Sequence, residues 1–169
     1  YQYGASNIYP DAWEKFISVI PKKERNNLIK AYYKRLTSDN KIEKQKCAIA
    51  WSVWEANTSK LIPTKKSLHD FKNPKVAEAF ARIECHYFIN KGFFEYDGWI
   101  LDQIDKIRHI RTEIVQGRYD IVCPIRSAWD LYKVFPESGL HIIEDAGHSM
   151  TESGITSKLI EIMNELEIN

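Results

Sequence analysis

The chain has 169 residues, 44% of them hydrophobic, with 24 lysines and arginines against 23 aspartates and glutamates and a net charge of +1. That length supports one domain with a real core, or a small domain plus part of another, and the balanced charge leaves no basic stripe for nucleic acid. No apolar run approaches the ~20 residues of a membrane span, and the residues from Tyr1 onward lack the basic and apolar regions of a signal peptide, so neither nucleic acid nor membrane is expected as a partner.

Asp11 with Glu14 forms a capping-box-like start for a first helix that stops before Pro21. Pro21 is expected to open a second helix with Leu28, Tyr32 and Leu36 on one face. After Ser38 or Asp39 a third helix is predicted from about Lys41 to Ala56. Ile42, Ile49 and Val53 are spaced for packing, and Ala48, Trp51 and Glu55 lie on its other face. Residues 57–73 hold Pro63, several lysines and no clear period, which reads as a surface connection. Pro74 then opens a fourth helix. On it Phe80, Glu84 and Phe88 fall at i, i+4 and i+8, and Gly92 suits its C-terminal cap.

Beyond Gly92 the pattern alternates. Trp99 to Ile107 reads as a helix, Thr112 to Gln116 as a strand, Arg126 to Val134 as a helix, Leu140 to Ile143 as a strand, and Ile155 to Leu166 as an amphipathic helix. Such alternation predicts an α/β fold, the tail of a doubly wound parallel sheet. Two strands cannot shield both faces of such a sheet, so a missing N-terminal half of the fold is expected.

The chemistry-bearing residues sit just past the two predicted strands. Asp120 closes Gly117-Arg118-Tyr119-Asp120, and His148 lies in Asp145-Ala146-Gly147-His148-Ser149. An acid followed by a histidine, each on a loop after a strand, fits the last two places of the Ser, Asp, His order of an α/β-hydrolase. The Gly-x-Ser-x-Gly elbow that would carry the nucleophile does not occur in the sequence. On residues alone a second reading stays open, because an aspartate after a strand often caps a turn and Gly-His is a common turn.

Glu55 follows Trp51-Ser52-Val53-Trp54, and Glu84 shares a stripe with Phe80 and Phe88. A carboxylate among aromatics needs a cation or donors to offset its desolvation. Its partner is either an intramolecular cation, Arg82 or Arg35 in the case of Glu84, or a ligand ammonium. Cys47, Cys85 and Cys123 are far apart and odd in number, which argues against disulfides and a Cys-x-x-Cys metal site and for a reducing compartment. Cys47 and Cys85 read as small buried hydrophobes, whereas Cys123 lies three residues past Asp120.

Seven segments in order extend this reading. Gly-Ala-Ser followed by Pro10 to Glu14, then Arg35 to Ser38, Trp51 to Glu55, Ala81 to Phe88, Gly117 to Asp120, Ser127 to Leu131 and Asp145 to Ser149 together resemble the prolyl iminopeptidases. The resemblance covers nearly the whole chain and implies an α/β-hydrolase fold with a helical cap, residues 1–95 being the cap and 96–169 the C-terminal part of the catalytic domain. It further implies a cytoplasmic serine aminopeptidase without metal or cofactor, releasing N-terminal proline from peptides through an acyl-enzyme. Asp120 and His148 would be the triad acid and base. Glu55 and Glu84 match cap glutamates that bind the substrate α-amino group, Phe88 matches an aromatic of the proline pocket, and Cys123 matches a position near the active site. The elbow and oxyanion-hole segment, which the family carries before the equivalent of Tyr1, are absent, so the chain by itself is expected to be inactive. Two other classes stay in view: a cap-bearing hydrolase of esters, lactones or epoxides, and a non-catalytic fragment whose sheet edge serves a partner chain.

Overall fold

The structure, a computed structural model, describes residues 4–64 and 69–167. It is mostly helical with a small parallel sheet, and it divides into two compact units. One holds the residues up to Thr58 and Pro63–Phe94; the other holds Ser59–Ile62 and the residues from Glu95 onward.

The first unit is helical: α1 (Ala5–Ile8), α2 (Pro10–Ser18), a 3-10 turn (Lys22–Glu24), α3 (Leu28–Leu36), α4 (Lys41–Thr58) and α5 (Pro74–Ile89). The capping box does not form. Pro10 takes the first helical position, which places Asp11 inside the first turn, where its side chain caps nothing. Pro21 is extended and opens only the 3-10 turn. A new helix starts where the Asn27 side chain accepts the Lys30 amide at 3.0 Å. The face carrying Leu28, Tyr32 and Leu36 is buried as expected.

The core of this unit is aromatic. Phe16 stacks on Tyr32 at 4.7 Å and meets Trp51 and Trp54 at 5.8 and 5.5 Å. Each such pair adds about 0.5–1.5 kcal/mol beyond area burial. The buried Tyr32 hydroxyl is satisfied by donating to the Phe16 carbonyl at 2.7 Å. This cluster decides which side of α4 faces inward: Cys47, Ala48, Trp51, Trp54 and Glu55 are buried, while Ile42 is 83% exposed. The face expected to pack, through Ile42, Ile49 and Val53, is therefore the less buried one, with Ile49 and Val53 half-buried, because Phe16 and Tyr32 meet the indoles on the opposite side. On α5 the stripe Ala77, Ala81 and Cys85 is buried. These small side chains let α5 approach α4 and α3 closely, and Phe80, Glu84 and Phe88 flank that contact. Burial pushes the Cys47 thiol up to about 11 and the Cys85 thiol up to about 12, as suits small hydrophobes. The cap of α5 is Asn90 rather than Gly92, with Gly92 in a following 3-10 turn (Lys91–Phe93) at φ 65°. Of the connection expected over 57–73, residues 65–68 lie outside the described residues, and α4 runs two residues further than predicted, to Thr58.

In the second unit the helix expected over Trp99–Ile107 is broken into α6 (Trp99–Asp102) and a 3-10 turn (Ile104–Lys106). Ile104 is buried but Ile100 and Ile107 are exposed, so no apolar stripe holds a longer helix in place. The remaining elements follow the expected order: β1 (Glu113–Gly117), α7 (Arg126–Val134), β2 (Gly139–Ile143) and α8 (Ser153–Glu167). The two strands pair in parallel, with Gly117 opposite Ile143. α8 packs on both strands and α7 on β2. Parallel pairing brings the C-terminal ends of both strands, and hence the loops carrying Asp120 and His148, to one edge. No helix among the described residues is long and apolar enough to cross a membrane.

Candidate active site

The loop after β1 and the loop after β2 are stitched together backbone to backbone. The Arg118 amide donates to Ile143 O at 2.9 Å and the Tyr119 amide to Ala146 O at 2.9 Å. This approach is possible because residue 117 has no side chain. A Cβ there would fall on the Gly147 carbonyl oxygen and stand 2.7 Å from Ala146 O. Outside the stitch, Arg118 pairs with Glu144 through two bonds of 2.9 and 2.7 Å.

Asp120 and His148 meet across this junction, the His148 Nδ1–H donating to Asp120 Oδ2 at 2.9 Å. The same oxygen accepts the Gln116 side-chain amide at 3.0 Å, and Oδ1 accepts the Val122 and Cys123 amides at 3.0 and 2.8 Å. Four donors thus surround a carboxylate that is 8% exposed. Burial alone would raise its pKa. The bonds from His148, the Cys123 amide and Gln116 outweigh that and hold it below the usual carboxyl value. The two readings open at the sequence level prove compatible, since one oxygen caps the turn and the other binds the imidazole. A proton fixed on Nδ1 makes Nε2 the basic nitrogen.

The histidine loop is held from its other side as well. Glu152 accepts the Gly147 amide at 3.0 Å through one oxygen and the Leu61 amide at 3.1 Å through the other. The Ser149 amide donates to Ser59 O at 2.7 Å. The segment Ser59–Ile62 therefore straps the histidine loop. A Cβ at Gly147 would lie 2.7 Å from the Leu61 nitrogen, so this contact too requires glycine. Cys123 is exposed, and its backbone contributes an amide to Asp120 and a carbonyl to Gln116. Among the described residues no group of three or more His, Cys, Asp or Glu is arranged to hold a metal ion.

In the helical unit, Glu55 is buried at 6% exposure, one turn beyond Trp51 on the same side of α4. Glu84 is half-buried and accepts the Trp51 indole N–H. The Phe88 ring lies 6.0 Å from the Trp51 ring and is partly exposed. Trp51 thus joins Glu84, Phe88 and the Glu55 face into one cluster. The cations considered for Glu84 are engaged elsewhere, Arg82 by Glu78 and Arg35 by Glu24 and Glu43.

Gln116, Glu152 and Trp51 act on the predicted residues, yet the sequence reading assigned none of them a part in the site. Gln116 and Glu152 carry no motif, since each works through a contact made only in the folded chain. Trp51 stood within one of the quoted segments, where its indole N–H beside two acids was the available signal.

No family model matches the chain. Individual proteins do. It is 56% identical to a "Probable proline iminopeptidase" from Leptolyngbya boryana over 161 residues, 95% of this chain and 50% of that protein. It is 52% identical to a "Proline iminopeptidase" from Arabidopsis thaliana over 98% of this chain and 43% of that protein. It is 38% identical to a "Proline iminopeptidase" from Neisseria gonorrhoeae over 96% of this chain and 51% of that protein. The chain spans about half the length of the curated relatives it matches.

Proposed function

By homology the chain belongs with the proline iminopeptidases, about half of whose length it spans, and from that premise we propose that it is part of a serine aminopeptidase releasing N-terminal proline from peptides. Residues 1–95 form the helical cap and residues 96–169 the C-terminal part of an α/β-hydrolase domain. The observation that carries this reading is the 2.9 Å bond from His148 to a buried, fully hydrogen-bonded Asp120 at the C-terminal edge of a parallel strand pair.

Asp120 fixes the imidazole tautomer and stabilises the imidazolium. His148 takes the proton of the nucleophilic serine and returns it to the leaving amine, and water then releases proline from the acyl-enzyme. The sequence holds no Gly-x-Ser-x-Gly elbow, so the serine and the oxyanion donors belong to the remainder of the hydrolase domain, and the 169-residue chain by itself is inactive. Glu55 and Glu84 receive the substrate α-ammonium, and Phe88 lines the proline pocket. The Trp51 indole N–H holds the Glu84 carboxylate beside the Phe88 ring, which supports this placement. No cofactor takes part. Three unbridged cysteines suit a reducing, cytoplasmic setting.

The test is kcat/KM for a proline arylamide with a free amine against the same compound N-acetylated, using protein expressed from the complete reading frame. Strong preference for the free amine is expected. Equal rates, or preference for the blocked compound, would replace this reading with a general hydrolase of esters, lactones or epoxides.

A further inference from the structure

We propose that Gln116 is a positioning residue for the Asp120–His148 pair, its side-chain amide holding the shared carboxylate oxygen in place while limiting how strongly that oxygen draws charge onto the imidazole. Its place in catalysis rests on the function proposed above; its effect on His148 does not.

Gln116 is the penultimate residue of β1, four positions before Asp120, and its amide nitrogen reaches back over the turn. That nitrogen lies 3.0 Å from Asp120 Oδ2, 3.2 Å from the Cys123 carbonyl and 3.4 Å from the Gly117 carbonyl. All three neighbours only accept hydrogen bonds, so the group facing them must be the amide NH₂ and not its oxygen. One proton goes to the carboxylate and the other to Cys123, the residue whose own amide binds the opposite carboxylate oxygen at 2.8 Å. Gln116 therefore closes a ring through Asp120 and Cys123 that fixes the carboxylate plane. Glutamate at this place would offer an acceptor where two donors are required.

The electrostatic consequence has a definite sign. Asp120 Oδ2 divides its charge between the His148 Nδ1–H and the Gln116 amide. Removing the amide returns that charge to the imidazole and favours its protonated form. A merely loosened loop would act in the opposite sense, weakening the His148–Asp120 bond and lowering proton affinity as loss of the carboxylate does. The ionisable side chains on the segments joined to this pair are Glu152, which holds the Gly147 amide beside His148, and Cys123, whose amide binds the opposite Asp120 oxygen. Glu152 makes no hydrogen bond with Gln116, and Cys123 meets it through a backbone carbonyl and not through its thiol.

The experiment compares wild type, Gln116→Met, Gln116→Glu and Asp120→Asn in protein expressed from the complete reading frame. It reads the His148 ring by NMR titration and, separately, the acid limb of kcat/KM against pH. Gln116→Met keeps length and shape without the donors, and the His148 midpoint is expected to rise by about one pH unit, with the acid limb following. Gln116→Glu, which sets a second carboxylate beside Asp120, is expected to move both further upward. Asp120→Asn should move the midpoint downward. A midpoint unchanged in both Gln116 variants, or displaced in the Asp120→Asn direction, would overturn the proposal. The NMR readout needs no turnover, so an enzyme inert toward prolyl substrates would defeat the peptidase reading while His148 still decides this one.

Discussion

Replacing Asp120 by asparagine tests the proposed acid–base pair most severely, because the structure dictates how the new amide must sit. Oδ1 accepts two backbone amides, from Val122 and Cys123, and Oδ2 accepts His148 and Gln116. If the asparagine oxygen faced His148, its NH₂ would meet two backbone N–H groups that cannot turn away. The oxygen must therefore keep the Oδ1 place, and the NH₂ then points at His148 Nδ1 and at the Gln116 amide. The imidazole can accept that hydrogen only by moving its proton to Nε2, the atom that should take the proton of the serine. The expected loss in kcat is about 10⁴-fold, or about 5 kcal/mol of transition-state stabilisation, with KM little changed. Stability should fall by about 1–3 kcal/mol, since the displaced Gln116 amide loses its charged acceptor. Steady-state hydrolysis of a proline arylamide, alongside urea unfolding, measures both. Turnover within a few-fold of wild type would remove Asp120 from the acid role, and a loss carried mainly in KM would mean that it acts through substrate binding.

Acid unfolding should show the same group. The Asp120 carboxyl lies below its ordinary value, so its stabilisation is fully present above the unfolded carboxyl value of about 4 and is lost as pH falls through the depressed folded value. Wild type should therefore lose stability more steeply below about pH 4 than Asp120→Asn, and parallel curves would contradict this. Gly117→Ala should destabilise by about 1–3 kcal/mol, because its methyl must displace the Gly147 carbonyl; an unchanged melting temperature would show that the two loops are not held as described. Glu84→Gln should reduce kcat/KM for a free-amine substrate by about 2–5 kcal/mol while leaving an N-acetylated one unaffected, whereas a change in folding stability alone would make Glu84 structural.

Asp120 and His148 were legible in the sequence because their position depends on short-range features, a β-branched run followed by a loop of a few residues, and parallel pairing does the rest. What was not legible depends on competition between elements. On α4 two apolar stripes satisfy the same period, and only the presence of Phe16 and Tyr32 opposite makes the Trp51 and Trp54 side the buried one, leaving Ile42 in solvent. The capping box at Asp11 failed for a local reason that outranked it, Pro10 at the first helical position. The break after Asp102 reflects a segment with one buried isoleucine, which no periodicity of apolar residues distinguishes from a packed face. Gln116 and Glu152 stayed invisible because their partners lie in other segments: an amide in β1 finding a carbonyl seven residues on, and a carboxylate joining Gly147 to Leu61.

The central claim is that His148 is the base facing the carbonyl of an N-terminal proline residue, and affinity labelling tests it directly. Proline chloromethyl ketone, incubated with protein expressed from the complete reading frame, should alkylate the His148 ring with displacement of chloride. Peptide mapping by mass spectrometry should find one adduct, on His148, with activity lost in proportion and with the N-acetylated reagent unreactive. Inactivation with the label on another residue, or equal labelling by the blocked reagent, would contradict the account.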